Sequence, residues 1–229
     1  MLIQLKNVLT ADELARGRAL LMAHGTPWID GRRSAGAQAV QQKSNEQLAQ
    51  DSDVAAQMRQ LVLGAVRRDA LLFSAALPRK FFNPLFNRYT GESNHYGNHI
   101  DGAVLHSRAD DVWVRTDVSC TLFFSEPDEY DGGELVVQDT YGEQRVKLPA
   151  GDAVLYPGTS LHQVTPVTRG ARIASFFWIE SMVRSDEKRR LLFDMDMALL
   201  ALRQRDGESA EATRLTGTYH NLLRMWGST

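Results

Sequence analysis

Two histidines and an aspartate are the residues of this sequence best placed for chemistry. His99 and Asp101 form an H-x-D triplet. On an extended chain, where side chains alternate between faces, both point the same way and can meet one ion. A third ligand must then come from a distant strand. His162 lies 63 residues after His99, at the start of HQVTPV and just past the LYPGTSL turn. Two imidazoles and one carboxylate on a single face leave three octahedral positions open, which suits Fe(II) that must admit a chelating co-substrate and O₂. A closed structural zinc site has no use for such vacancies. Taken alone the triplet is weak, because a turn can satisfy a His and an Asp two apart without any metal.

Arg172 sits ten residues after His162, on the run ARIASFFWI. If HQVTPV and ARIASFF pair through a turn at Arg169-Gly170, Arg172 points into the same cavity. A buried arginine is costly unless paired, and its fork of donors matches a carboxylate. A surface arginine on an edge strand is the alternative. His95, His106 and His220 have no comparable partner set and read as surface or hydrogen-bonded residues. His24, beside Gly25, reads as a helix-end residue. The acidic run Glu126, Asp128, Glu129 and Asp131 lacks the spacing of a calcium loop and reads as a solvated turn. Glu187-Lys188-Arg189-Arg190 reads as a solvated helix face.

Three zones must position these residues. Residues 1–80 read as a short strand followed by helices. Thr10 opens a capping box with Glu13, ahead of Leu14, Leu20, Leu21 and Met22. A second helix starts near Ser52, with Val54, Met58, Leu61, Val62 and Val66 at helical spacing. Between them the stretch Gly31–Gln50 is too polar for core and reads as a loop. Residues 81–180 hold many short β-type runs, with turns at Asp131-Gly132-Gly133 and Pro149-Ala150-Gly151-Asp152. That pattern implies a β-sandwich or barrel. Residues 181–229 are helical again. Ser185 caps a helix whose apolar face is Leu191, Leu192, Met195, Leu199 and Leu202, and a final helix carries Leu215, Tyr219, Leu222, Leu223 and Trp226. These helices could pack on the β-core or form a homo-oligomer interface.

The set His99-x-Asp101, His162 and Arg172 resembles the 2-oxoglutarate and Fe(II)-dependent dioxygenase superfamily, and most closely its prolyl/lysyl hydroxylase-like branch. Tyr89 lies ten residues before His99, where that branch places a co-substrate tyrosine; DGGELVV and Trp178 match it too. More narrowly, WIDGRRSAGAQA, the core, and ESMVRSDEKRRLLFDMD resemble the bacterial PKHD-type hydroxylases nearly end to end. Phe123 departs from the branch, which usually has a second co-substrate tyrosine there. The resemblance implies an α+β fold, a double-stranded β-helix (jelly roll) flanked by N-terminal and C-terminal helices. It implies Fe(II) on His99, Asp101 and His162, 2-oxoglutarate held by Arg172 and Tyr89, and L-ascorbate as reductant. Succinate and CO₂ would be released as a substrate is hydroxylated, either a peptidyl residue or a small molecule connected with iron uptake. A cupin-like metalloenzyme without 2-oxoglutarate, or an iron and 2-oxoglutarate sensor without turnover, are the competing expectations. The Gly31–Gln50 stretch is a candidate lid over the site, a surface loop without a role being the alternative.

Composition narrows the rest. A formal net charge of −2 over 229 residues gives no reason to expect nucleic acid or an anionic membrane as partner. The single cysteine, Cys120, excludes an intrachain disulfide and a Cys-based zinc site, and reads as a small core residue. Neither a secretory signal nor a membrane-length apolar run is visible, which fits a cytoplasmic protein.

Overall fold

A computed structural model of the chain describes residues 1–34, 42–91, 93–108, 110–139 and 142–229. In chain order its strands are β1 (Ile3–Leu5), β2 (Trp28–Asp30), β3 (Lys43–Ser44), β4 (Glu46–Leu48), β5 (Pro78–Phe81), β6 (Leu85–Tyr89), β7 (His95–His99), β8 (Val104–Ser107) and β9 (Val112–Arg115). There follow β10 (Val118–Phe123), β11 (Tyr130–Gly132), β12 (Leu135–Asp139), β13 (Gly142–Val146), β14 (Ala153–Pro157), β15 (His162–Val164), β16 (Val167–Gly170) and β17 (Arg172–Ser181). The helices are α1 (Ala11–Met22), α2 (Asp53–Arg68), α3 (Ala70–Ala76), α4 (Asp186–Asp206) and α5 (Ala210–Trp226).

Strand alternation sorts the side chains into layers. On β10, Val118, Cys120 and Leu122 join Ile173, Phe177 and Ile179 of β17 in one apolar cluster, which α1, α2 and α3 cover with Leu21, Met58, Val62 and Leu72. The opposite face of the same strands turns Phe123 inward, against Leu135, Val137 and Val164 from a second sheet. The major sheet has eight strands, ordered β1-β14-β10-β17-β6-β4-β2 with β5 also on β17, and the minor sheet runs β13-β12-β15-β7-β3. Two antiparallel sheets packed face to face, with helices outside, give the expected α+β jelly roll. Leu77, Val183, Leu192, Leu199 and Tyr219 dock α4 and α5 through a separate cluster. Among the described residues, no helix is long and apolar enough to cross a membrane.

Several expectations are corrected. HQVTPV and ARIASFF do not pair: β15 lies between β12 and β7 in the minor sheet, while β17 lies between β10 and β6 in the major one. Val167–Gly170 forms a separate strand with β11, so the chain crosses between sheets there instead of making a hairpin. Gly31–Gln50 is not simply a loop, since β3 and β4 add to the two sheets and bury Lys43, Asn45, Gln47 and Leu48. Edge pairing overrode polarity here. Residues 35–41 of that candidate lid lie outside the described residues. Arg189 is buried, not solvated, because its guanidinium donates to the carbonyls of Val183 and Arg184 and to Asp186. Leu191 and Met22, read as core-facing, are exposed.

The Thr10–Glu13 capping box forms as read, and Arg68 of α2 also pairs with Glu13, tying the start of α1 to the end of α2. That bond holds the Glu13 carboxyl down to about 2. A folded value below the unfolded one adds stability above about pH 4.5, lost as pH falls towards 2. Glu13→Gln should therefore lower stability at pH 7 by on the order of 1 kcal/mol, the pair being partly screened. Urea unfolding across that acidic range should show the difference from wild type shrinking; a constant difference would contradict the ion pair.

Candidate metal centre

The end of β7 carries His99, and β15 sets His162 directly beside it as its register partner. The register slips by one residue between these strands, since His162 faces His99 but Val164 faces Tyr96. A bulge of one residue brings Tyr96 round to the face of His99, where the two rings stack 3.6 Å apart. Asp101 follows two residues past His99, as the H-x-D spacing requires. His99 Nε2 lies 3.9 Å from Asp101 Oδ1, and His162 Nε2 lies 3.8 Å from Asp101 Oδ2. One donor atom from each residue falls within 4.8 Å of the others. Bonds of about 2.1 Å place neighbouring donors about 3 Å apart on an octahedral face, so a small inward shift would seat one ion.

Each donor is already aimed. His99 Nδ1 donates to the Gly97 carbonyl at 2.8 Å, and His162 Nδ1 donates to the Ser160 carbonyl at 3.0 Å. A carbonyl can only accept, so both Nδ1 atoms carry the proton and both Nε2 atoms offer a lone pair. Burial, with His162 close by, pushes His99 down to about 4 and keeps it neutral at neutral pH. Asp101 Oδ2 accepts from Ser119 Oγ at 2.9 Å and from Trp178 Nε1 at 2.8 Å. Ser119 and Trp178 are register partners on β10 and β17, so the major sheet grips the carboxylate from its inner face. Oδ1 lies on the His99 side, 3.9 Å from its Nε2.

Deeper in the roll, Arg172 opens β17 opposite Tyr89 of β6 and is 1% exposed. Its guanidinium carbon lies 5.4 Å from the Tyr89 ring centre and 5.2 Å from that of Phe123. Nε and Nη1 are buried without a hydrogen-bond partner among the described residues. A cation between two aromatic faces gains some attraction, yet unsatisfied buried donors are costly. An entering carboxylate would satisfy them on two bonds. The Tyr89 hydroxyl accepts from Asn87 Nδ2 at 3.3 Å and keeps its own proton to donate. These residues therefore fit a divalent ion at the rim and a dicarboxylate reaching inward.

The five residues chosen from sequence thus fall in two places, three at the rim and two in the interior beneath. Sequence reading missed Ser119, Tyr96 and Tyr130. Ser119 was legible in VSCTLFF, because period-2 alternation puts it on the same face as Phe123, away from the apolar cluster. Tyr96 was not, since the bulge that turns it inward leaves no local signal. The other histidines stay away from the three donors: His106 pairs with Asp111 and His95 with Asn94.

Comparison with known proteins agrees with this geometry. Residues 84–180 match the 2OG-Fe(II) oxygenase superfamily, and residues 186–228 match the PKHD-type hydroxylase C-terminal domain. A PKHD-type hydroxylase of Polaromonas sp. is 59% identical over 229 residues, covering 100% of both chains. One from Nitrosomonas europaea is 54% identical over 226 residues, covering 99% of each. Among solved structures, a Trichoplax adhaerens prolyl hydroxylase in complex with a hypoxia inducible factor peptide fragment shares the fold. Its TM-score is 0.55 at 15% identity, over 83% of this chain and 86% of that one. The non-heme alpha ketoglutarate dependent carbocyclase SnoK has a TM-score of 0.54 at 14% identity, over 80% of each chain. With full-length identity well above half and both regions matched, the chain belongs to the PKHD-type hydroxylases, within the 2OG-Fe(II) oxygenase superfamily.

Proposed function

We propose that His99, Asp101 and His162 hold the Fe(II) of this 2-oxoglutarate-dependent dioxygenase, and that Arg172 and Tyr89 hold the far carboxylate of 2-oxoglutarate. One observation carries the reading: Arg172, fully buried, points two unpartnered donors into the roll whose rim bears the three metal-type side chains. A metalloenzyme that bound no dicarboxylate would have no use for so costly a group. With iron bound, the site supplies oxidation: 2-oxoglutarate and O₂ give succinate and CO₂, and one oxygen atom enters a C–H bond of the substrate.

The chain's own residues have defined tasks. The Gly97 and Ser160 carbonyls fix both imidazole tautomers. Ser119 and Trp178 hold the Asp101 carboxylate turned towards the two imidazoles by bonding its Oδ2. Tyr96 blocks rotation of the His99 ring by stacking on it. Arg172 and Tyr89 set the depth and direction of the co-substrate, and the apolar cluster of Phe123, Val137, Val154 and Val164 excludes water around it. The substrate is a peptidyl residue or a small molecule connected with iron uptake, presented at the open side of the three donors. L-Ascorbate would keep the iron reduced between turnovers.

Two measurements test these assignments. Wild-type protein given Fe(II), O₂ and 2-oxoglutarate alone should form succinate slowly. Asp101→Ala should reduce that rate at least a hundredfold, since one lost ligand undoes the site; succinate at the wild-type rate would refute the assignment. Arg172→Met should weaken 2-oxoglutarate binding at least a hundredfold, by loss of a charge-assisted pair. Without ligand its thermal midpoint should equal or exceed that of wild type, because a partnerless guanidinium gives way to an apolar chain of similar length. A clear drop in that midpoint would show that Arg172 serves the fold.

A further inference from the structure

Arg172 is not the only buried group near the interior end that lacks a partner. Tyr130, on β11, is 0% exposed, and its hydroxyl finds no hydrogen-bond partner among the described residues. Its ring packs in one cluster with Tyr89 and Phe123, the two rings that lie 5.4 and 5.2 Å from the Arg172 guanidinium carbon. Burial pushes the hydroxyl's pKa up while the nearby Arg172 charge pulls it back, and the net shift is upward, so it stays protonated at neutral pH. The register explains the placement: Tyr130 pairs with Gly170, two residues before Arg172.

The ring is also locked. Lys147 Nζ donates to the Tyr130 carbonyl at 2.7 Å and lies 4.1 Å from the ring centre. Gly133 packs so closely that a Cβ there would come within 2.9 Å of ring atom Cε2, and its φ of +65° independently favours glycine. The Phe123 ring centre lies 5.2 Å from the same guanidinium carbon and has no hydroxyl to offer.

We infer that the Tyr130 hydroxyl donates a further hydrogen bond to the anion that Arg172 receives, the far carboxylate of 2-oxoglutarate, in place of the donor that Phe123 lacks. This rests on the co-substrate reading above. A carboxylate has acceptor capacity left over after a guanidinium fork, and a rigid buried hydroxyl meets it at little entropic cost. The DGGEL turn gains a reason beyond folding, since its second glycine leaves room for the ring that carries the donor.

The test uses the full chain loaded with Ni(II), and measures binding by calorimetry for 2-oxoglutarate and for 2-oxopentanoate, which lacks the far carboxylate. Tyr130→Phe should weaken 2-oxoglutarate binding on the order of tenfold, as expected for a lost bond to a charged group. Its affinity for 2-oxopentanoate and its ligand-free thermal midpoint should not change. Equal 2-oxoglutarate affinity in variant and wild type would overturn the inference and leave the co-substrate reading intact. Equal weakening of both ligands would reduce Tyr130 to a packing residue. Wild-type protein that binds both acids alike would overturn the inference together with the carboxylate role of Arg172.

Discussion

Asp101 Oδ2 is where the two sheets of the roll meet chemically. The carboxylate follows a minor-sheet strand, yet its two hydrogen bonds come from Ser119 and Trp178 of the major sheet. A largely enclosed carboxylate needs hydrogen-bond partners, and this one meets both of its donors only if the sheets close at one separation and register. That requirement fixes the carboxylate beside the two Nε2 atoms, with Oδ1 3.9 Å from that of His99 and Oδ2 3.8 Å from that of His162. The pairing of His162 with His99, and the carbonyls that hold both Nδ1 protons, complete the same constraint from the minor sheet.

The interior end works on the opposite principle. Two Arg172 nitrogens have no hydrogen-bond partner among the described residues, and the guanidinium lies over the rings of Tyr89 and Phe123, which Tyr130 joins in one cluster. Such a group lowers the stability of the free protein and raises its affinity for a carboxylate by the same physics. Rim and interior share a scaffold: β17 carries Arg172 at its start and Trp178 six residues later on the same face. The spacing of that strand thus relates the Arg172 guanidinium to the donor set.

Much of this was legible in the sequence. Capping residues Thr10 and Ser185 marked helix starts, because a local hydrogen bond leaves a local signal, and the helix read as starting near Ser52 proves to be capped by it. His99 and Asp101 were reachable because i, i+2 spacing on a strand needs no tertiary information, while the resemblance joined His162 to them and suggested the roles proposed for Arg172 and Tyr89. Three things were not legible. HQVTPV and ARIASFF look like a hairpin, and only the sheet assignment separates them. Lys43 and Gln47 look like loop residues, yet strand addition at a sheet edge buries them. Tyr130, between Glu129 and Asp131 of the acidic run, is buried because β11 pairs with β16. Each of these misses is a long-range pairing that overrode local composition.

The most direct test is an anaerobic titration of the metal-free protein, first with Fe(II) and then with 2-oxoglutarate, followed by visible absorption. A 2-oxo acid chelating Fe(II) gives a charge-transfer band that neither component has alone. The expected result is one iron per chain and a band that saturates at one equivalent of 2-oxoglutarate. A protein that binds no iron, or binds it without developing the band, would contradict the three-residue iron site with its buried carboxylate pocket.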